Sequence, residues 1–181
     1  MKTTNIILAI FTVLCFVSCR VNGITDDYGK LSPAEKARIT DLISFENVDT
    51  SKVYRITATQ LLTQMEREDK SLVYIFKNGC KTKNCHPLFV YENYAASNGY
   101  NLYLVMNGYA DLNETLIQPR KQPLYAIDAK AYGNIYRGVY TRLFKNELIG
   151  KPAEYDEYEG TLFLFKNGKY EKTMIALPSN N

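Results

Sequence analysis

Tryptophan is absent from the 181 residues, and histidine occurs once, at His86. Neither sign of charge dominates: 22 Lys and Arg stand against 19 Asp and Glu, a net +3. That balance is too mild to argue for nucleic acid as a partner, and no basic recognition motif accompanies it. Also missing are a glycine-rich phosphate loop, a nucleophile elbow and a zinc-protease motif. The most common nucleotide, serine-hydrolase and zinc-hydrolase chemistries are thereby disfavoured. No apolar run is long enough to span a bilayer, and neither an internal repeat nor a low-complexity segment is present. The paired carboxylates Asp26-Asp27 and Asp156-Glu157 with Glu159 lie in stretches of mixed charge and are expected on solvated faces.

What is present concentrates in residues 71–99. Leu72-Val73-Tyr74-Ile75-Phe76 is β-branched and aromatic, and too short for a helix; it predicts a buried strand. A turn at Asn78-Gly79 leads into Cys80 and Cys85, with four residues between them. Pro87 follows, at the position where a helix tolerates a missing N–H. From there Leu88, Tyr91 and Ala95, flanked by Val90 and Tyr94, recur at helical spacing until Asn98-Gly99. The stretch reads as a chemical site held at the end of a buried strand.

The other segments predict alternating elements. Ser32-Pro33-Ala34-Glu35 is a helix start, extended to about Phe45. Lys52–Ile56 predicts a strand. Thr57 then caps a helix to about Glu68, with Leu61, Leu62 and Met65 on its apolar side. Residues 101–106 predict a second buried strand, 107–121 no clear element, 123–128 a short strand and 135–148 a helix ending at Gly150. Residues 161–165 and 169–175, joined at Asn167-Gly168, give the clearest hairpin signal in the chain. Helices between strands imply crossovers and a largely parallel sheet.

The N-terminus carries Lys2 and then the apolar run 6–17, the pattern of a secretory leader. Its end, Phe16-Val17-Ser18-Cys19, resembles the lipobox of bacterial lipoproteins, with Phe16 where that motif usually has Leu. The resemblance implies cleavage before Cys19 and acyl chains on its sulfur and amine. It further implies a lipid anchor in a bacterial cell envelope, on the periplasmic side or the outer surface, and envelope proteins as partners. Residues 1–18 are then the leader and 19–31 a flexible tether. With Cys19 lipidated, Cys80 and Cys85 remain in a compartment that permits disulfides.

Two stretches, Val-Tyr-Ile-Phe-Lys-Asn-Gly-Cys-Lys-Thr-Lys-Asn-Cys at 73–85 and Gly-Thr-Leu-Phe-Leu-Phe-Lys-Asn-Gly-Lys-Tyr at 160–170, resemble the thioredoxin fold. The resemblance covers about Val53 to Ile175 and implies an α/β fold for residues 32–181: a central mixed sheet with a C-terminal hairpin, flanked by helices. Carried over, Cys80 takes the place of the exposed nucleophile and Cys85 that of the resolving cysteine, with no cofactor. Gly160 and Thr161 fall where the family lines its substrate groove. The departures are specific. Four residues rather than two separate the cysteines, Gly79 replaces an aromatic residue, Gly160 replaces a cis-proline, and the family's last helix has no counterpart after the hairpin.

Two functions follow. In one, Cys80 attacks and Cys85 resolves, in a thiol–disulfide oxidoreductase assisted by Lys77, Lys81 and Lys83, whose charge lowers a thiol pKa. In the other, the disulfide only staples a six-residue ring, contributing about 2 kcal/mol. A tyrosine-rich face (Tyr132, Tyr136, Tyr140, Tyr155, Tyr158) then binds a partner protein. His86 with both thiolates would give three metal ligands, but neighbours in sequence rarely reach one metal and no fourth ligand is visible. His86 is expected to cap the following helix or tune the cysteines, and no metal is expected.

Overall fold

The computed structural model describes residues 23–80, 85–157 and 160–178. The leader, Cys19, Lys81, Lys83 and Tyr158 lie outside the described residues. After a 3-10 turn at Tyr28–Lys30, the order is α1 (Pro33–Lys36), β1 (Ile39–Asp41), β2 (Val53–Ile56), α2 (Ala58–Met65) and β3 (Lys70–Phe76). Then follow α3 (Leu88–Asn98), β4 (Asn101–Met106), α4 (Leu112–Leu116), β5 (Leu124–Ile127), α5 (Arg137–Ile149), β6 (Leu162–Lys166) and β7 (Lys169–Met174).

Among the described residues these strands make one sheet, ordered β1-β2-β5-β4-β3-β6-β7. The first five run parallel, whereas β6 is antiparallel to β3 and β7 to β6. The chain is therefore a mixed α/β protein, and all five strands expected in one sheet are there. The short strand expected over 123–128 is β5, which joins the same sheet between β2 and β4, and the one strand not expected is β1 at the edge.

Residue alternation along β3 explains the layering. Leu72, Tyr74 and Phe76 join Leu88, Tyr91 and Ala95 of α3 in one core. Val73 and Ile75 point the other way, onto Leu61 and Met65 of α2 and Tyr140, Phe144 and Leu148 of α5. Period-two burial puts helices on both faces of the strand. Each such fully buried side chain contributes roughly 1.5–3 kcal/mol, so β3, buried from Ser71 to Phe76, is the best-anchored strand available to hold a site. The edges differ: β1 is three residues long, and β7 is largely exposed and carries Lys169, Glu171 and Lys172. Both devices discourage pairing with further strands.

The helix starts were well marked. Thr57 and Gln60 form a reciprocal capping box on α2, as Ser32 and Glu35 do on α1. The helix expected over 33–45, however, stops at Lys36. Ile39 and Thr40 are β-branched, and Ile39 and Leu42 bury against the sheet instead. Backbone bonds from Val53 N–H to Arg38 O and from Leu42 N–H to Arg55 O turn the segment into an edge strand. Residues 107–121, expected to lack an element, contain the single-turn helix α4, which buries Leu112 and Thr115.

The largest correction concerns the tether. Residues 23–31 are docked on the domain rather than free. Thr25 makes an antiparallel bridge with Tyr136, and Tyr109 N–H and Arg137 N–H donate to Asp26 O and Ile24 O. Asp27, expected on a solvated face, is 2% exposed. Its carboxylate meets the Arg137 guanidinium at 2.7 Å and Lys30 Nζ at 2.7 Å.

Candidate functional site

The cysteine loop leaves the C-terminal end of β3. Asn107 N–H, just past β4, donates to Phe76 O at 2.9 Å, so the β4–α4 loop runs alongside the end of β3. Asn78 turns inward, 4% exposed, and its Nδ2–H donates to Gly108 O at 3.0 Å. Gly79 has φ +65°, and a Cβ there would lie 2.8 Å from Asp111 Cβ. The turn therefore excludes a side chain on both counts: backbone conformation and the carboxylate packed against it. Cys80 then emerges exposed while Cys85 is half-buried. The two are joined in a disulfide with Cα atoms 5.9 Å apart.

Helix α3 begins just beyond. Pro87 is its cap residue rather than its first helical one, and offers no side-chain bond. The N–H of Leu88 is instead capped by Gln118 Oε1 at 3.1 Å, a role expected of His86. His86 is exposed, its ring tilted 6.4 Å from that of Tyr91. No group of three or more His, Cys, Asp or Glu gathers as a metal site among the described residues.

Tyr74, Phe76, Leu88, Thr115 and Gln118 wall a small pocket against Asn78, Cys80, Cys85 and His86. Tyr74 stacks on Tyr91 with ring centroids 3.9 Å apart. Burial, with its hydrogen bond to Tyr91, pushes the Tyr74 phenol far above the ordinary tyrosine range, so it stays neutral at any working pH. Thr115 and Gln118 come from the stretch that showed no element in sequence. A single turn is too short to display a helical period, and nothing in the sequence distinguished them.

Gly160 and Thr161 lie beside the site without lining this pocket. Thr161 O accepts from Ile75 N–H at 2.9 Å, and the register of β3 with β6 would put Gly160 opposite Phe76. Gly160 has φ +111°, and a Cβ there would come within 2.6 Å of the Met174 carbonyl carbon. Its own carbonyl accepts from Lys145 Nζ at 3.5 Å; burial lowers that lysine's pKa. No cis peptide bond occurs among the described residues.

The tyrosines expected to share a face do not. Tyr140 is fully buried and donates to Asn107 O at 2.6 Å. Tyr132 is half-buried, donating to Glu147 Oε2 at 2.7 Å and accepting from Ala58 N–H at 3.0 Å. Of the four that lie among the described residues, Tyr136 alone is clearly outward, 55% exposed, and Tyr155 is half-buried under Lys151.

The fold and site define a mixed α/β protein with a helix-flanked sheet and a disulfide at the end of a central parallel strand. Compared with known proteins, the chain matches no family model, and no curated protein or solved structure is significantly similar to it. No helix among the described residues is long and apolar enough to cross a membrane.

Proposed function

We propose that this is a thioredoxin-like envelope lipoprotein that exchanges disulfides with other envelope proteins through Cys80 and Cys85. The observation that carries the reading is the position of the bond. It lies at the C-terminal end of β3, before the N-terminus of α3, with one sulfur-bearing residue exposed and the other half-buried. The β3–α3–β4 crossover and the β6–β7 hairpin on the far side of β3 fit the same fold. Open sheets of this kind present chemistry at the carboxyl ends of their strands.

The chemistry is a pair of thiol–disulfide exchanges. A substrate thiolate attacks the exposed Cys80 Sγ, the Cys80–Cys85 bond breaks, and its electron pair passes to Cys85 Sγ. A second substrate thiolate then attacks the substrate sulfur of the mixed disulfide, forming the substrate disulfide, and the electron pair of the broken bond leaves on Cys80 Sγ. The substrate ends oxidised by two electrons and the protein carries two thiols. Run backwards, the same steps reduce a substrate disulfide. The positive end of α3 and the exposed ammonium of Lys77 favour thiolate over thiol.

The second reading makes the disulfide a staple. The small ring it closes and the braces at Asn78 and Gly79 favour that use, and Gly160 stands where a groove proline would be. The deciding experiment combines the reduction potential of the pair with trapping on Cys85→Ser. Exchange chemistry predicts a potential above about −300 mV and mixed disulfides between Cys80 and envelope proteins. A lower potential with no trapped species would leave the staple.

A further inference from the structure

Residues 24–26 are fastened to the domain by their main chain, which leaves an apolar side chain over. Ile24 O accepts from Arg137 N–H at 2.8 Å, and Asp26 O from Tyr109 N–H at 2.7 Å. Thr25 O accepts from Arg137 Nε–H at 3.1 Å. The Ile24 side chain stays 53% exposed. The bridge between Thr25 and Tyr136 brings it beside Ile135, 67% exposed, and Tyr136, 55% exposed. The carboxylates of this arm are engaged within the protein. Asp27 is paired with Arg137 and Lys30, and Asp26 Oδ1 accepts from Tyr28 N–H at 3.0 Å. The exposed ammonium of Lys77 stands beside Gly23.

We infer that Ile24, Ile135 and Tyr136 form the face by which this protein rests on a lipid bilayer, the isoleucines in the acyl boundary and Tyr136 at the headgroups. This deepens the lipoprotein reading above and rests on it. The direction of the chain selects the bilayer over another protein. Cys19, the proposed acylation site, is four residues before Gly23, so acyl chains on it enter the membrane next to this patch. Three partly exposed side chains fall far short of the roughly 800 Å² per partner that a stable protein interface buries. They are also too little to hold a free protein on a membrane. An anchored one needs no further association, and a weak face is then enough to orient it. A tyrosine suits the headgroup level, with an apolar ring and a polar tip. Lys77 adds attraction to anionic lipid.

The chain contains no tryptophan, so Tyr136→Trp installs a single reporter and Tyr170→Trp a control. Tyr170 is also exposed, at 37%, but at the other end of the sheet. Its neighbour Lys169 pairs with Lys166, and Lys166 with Lys70, the first residue of β3. Along β3 the two ends are roughly 20 Å apart. The full chain, made with its leader in a bacterium, is placed in phosphatidylethanolamine–phosphatidylglycerol vesicles with brominated acyl chains. Acylation is read from the intact mass, membrane association by flotation, and contact by emission. Emission from Tyr136→Trp should fall about twofold and shift to the blue; Tyr170→Trp should do neither. Adding Ile24→Ser and Ile135→Ser should return the first to the level of the second, without moving the melting temperature, since both positions are exposed. Equal emission from the two reporters on floating vesicles would overturn the face and leave the anchor standing. Quenching undiminished by the two serines would also overturn it, because the tryptophan alone would then be seeking the membrane. A blue shift without quenching would put a protein on the face in place of lipid. A chain that carries no acyl group and does not float would remove the lipoprotein reading, and this inference with it.

Discussion

Asp27 and Arg137 are 110 residues apart in sequence, and their charged groups meet at 2.7 Å in a buried pair. Arg137 is the first residue of α5, and its Nε–H also donates to Thr25 O at 3.1 Å. Its guanidinium lies so close to Gly108 that a Cβ there would come within 2.6 Å of it. Gly108 in turn accepts from Asn78. One arginine therefore ties the docked arm to the loop that braces the cysteines.

Removing one member of this pair should cost far more than an average surface contact. Asp27→Asn leaves a buried guanidinium without its counter-ion, a loss of about 3–5 kcal/mol, measurable by urea denaturation. The pH dependence has a definite sign. Burial alone would raise the Asp27 pKa; the hydrogen bonds from Lys30 and Gly23 N–H and the charges of Arg137 and Lys30 outweigh it and hold the carboxyl below its ordinary 3.8. A group with a depressed folded-state pKa contributes fully above about pH 4 and loses that contribution as pH falls through its folded value. Parent stability should drop across that acid window more steeply than that of Asp27→Asn.

Gly79→Ala should disturb the cysteine loop through two separable effects. Positive φ costs of order 1 kcal/mol for alanine, and the methyl group also meets Asp111. Thermal melts of Gly79→Ala, Asp111→Ala and the double variant form a cycle. The double variant should recover the steric part, leaving only the conformational cost. Strict additivity of the two single changes would show that Gly79 and Asp111 do not touch.

The tyrosines separate core from surface directly. Tyr140→Ala empties a fully buried position and should lose about 3–5 kcal/mol. Tyr140→Phe should lose about 1 kcal/mol, the worth of the bond to Asn107 O. Tyr136→Ala, at an exposed site, should fall within about 0.5 kcal/mol of the parent. Equal effects at 136 and 140 would contradict the burial described here.

Lipidation is tested at one atom. Cys19→Ala should abolish incorporation of labelled fatty acid and release the protein from the membrane fraction. Retained label and unchanged membrane association would put the anchor elsewhere.

Legibility in the sequence followed the strength of local signals. β3 could be read because Leu72–Phe76 is unbroken and flanked by turn residues, and α2 because Thr57 and Gln60 announce its start. The hairpin could be read because Asn167 and Gly168 both adopt positive φ, the conformation their residue types favour. At the site, the two cysteines and their strand-end position were visible, but their surroundings were not. Gln118 caps a helix that begins 30 residues earlier, and Asp27 is buried by an arginine 110 residues away. Asp27 sits among Gly, Thr, Asp and Lys, and locally it reads as solvated. Only the tertiary partner changes that. The short helix at 33–36 differs the other way: its capping box is genuine but starts a single turn, because β-branched Ile39 and Thr40 join a sheet edge that local sequence does not reveal.

The docked arm also sets a leash. A lipid on Cys19 would be joined to Gly23 by four Cα steps, at most about 14 Å of chain, where a free linker to Ser32 would have allowed about 45 Å. The start of the arm stands near Lys77: a Cβ on Gly23 would lie 3.9 Å from its Nζ. Lys77 is three residues before Cys80. An anchor on that leash would hold the disulfide close over the headgroups, confining its sweep to a thin shell above the bilayer. A cysteine on a membrane-proximal segment would fall within that shell; one on a domain raised well above the surface would not, however reactive its thiol.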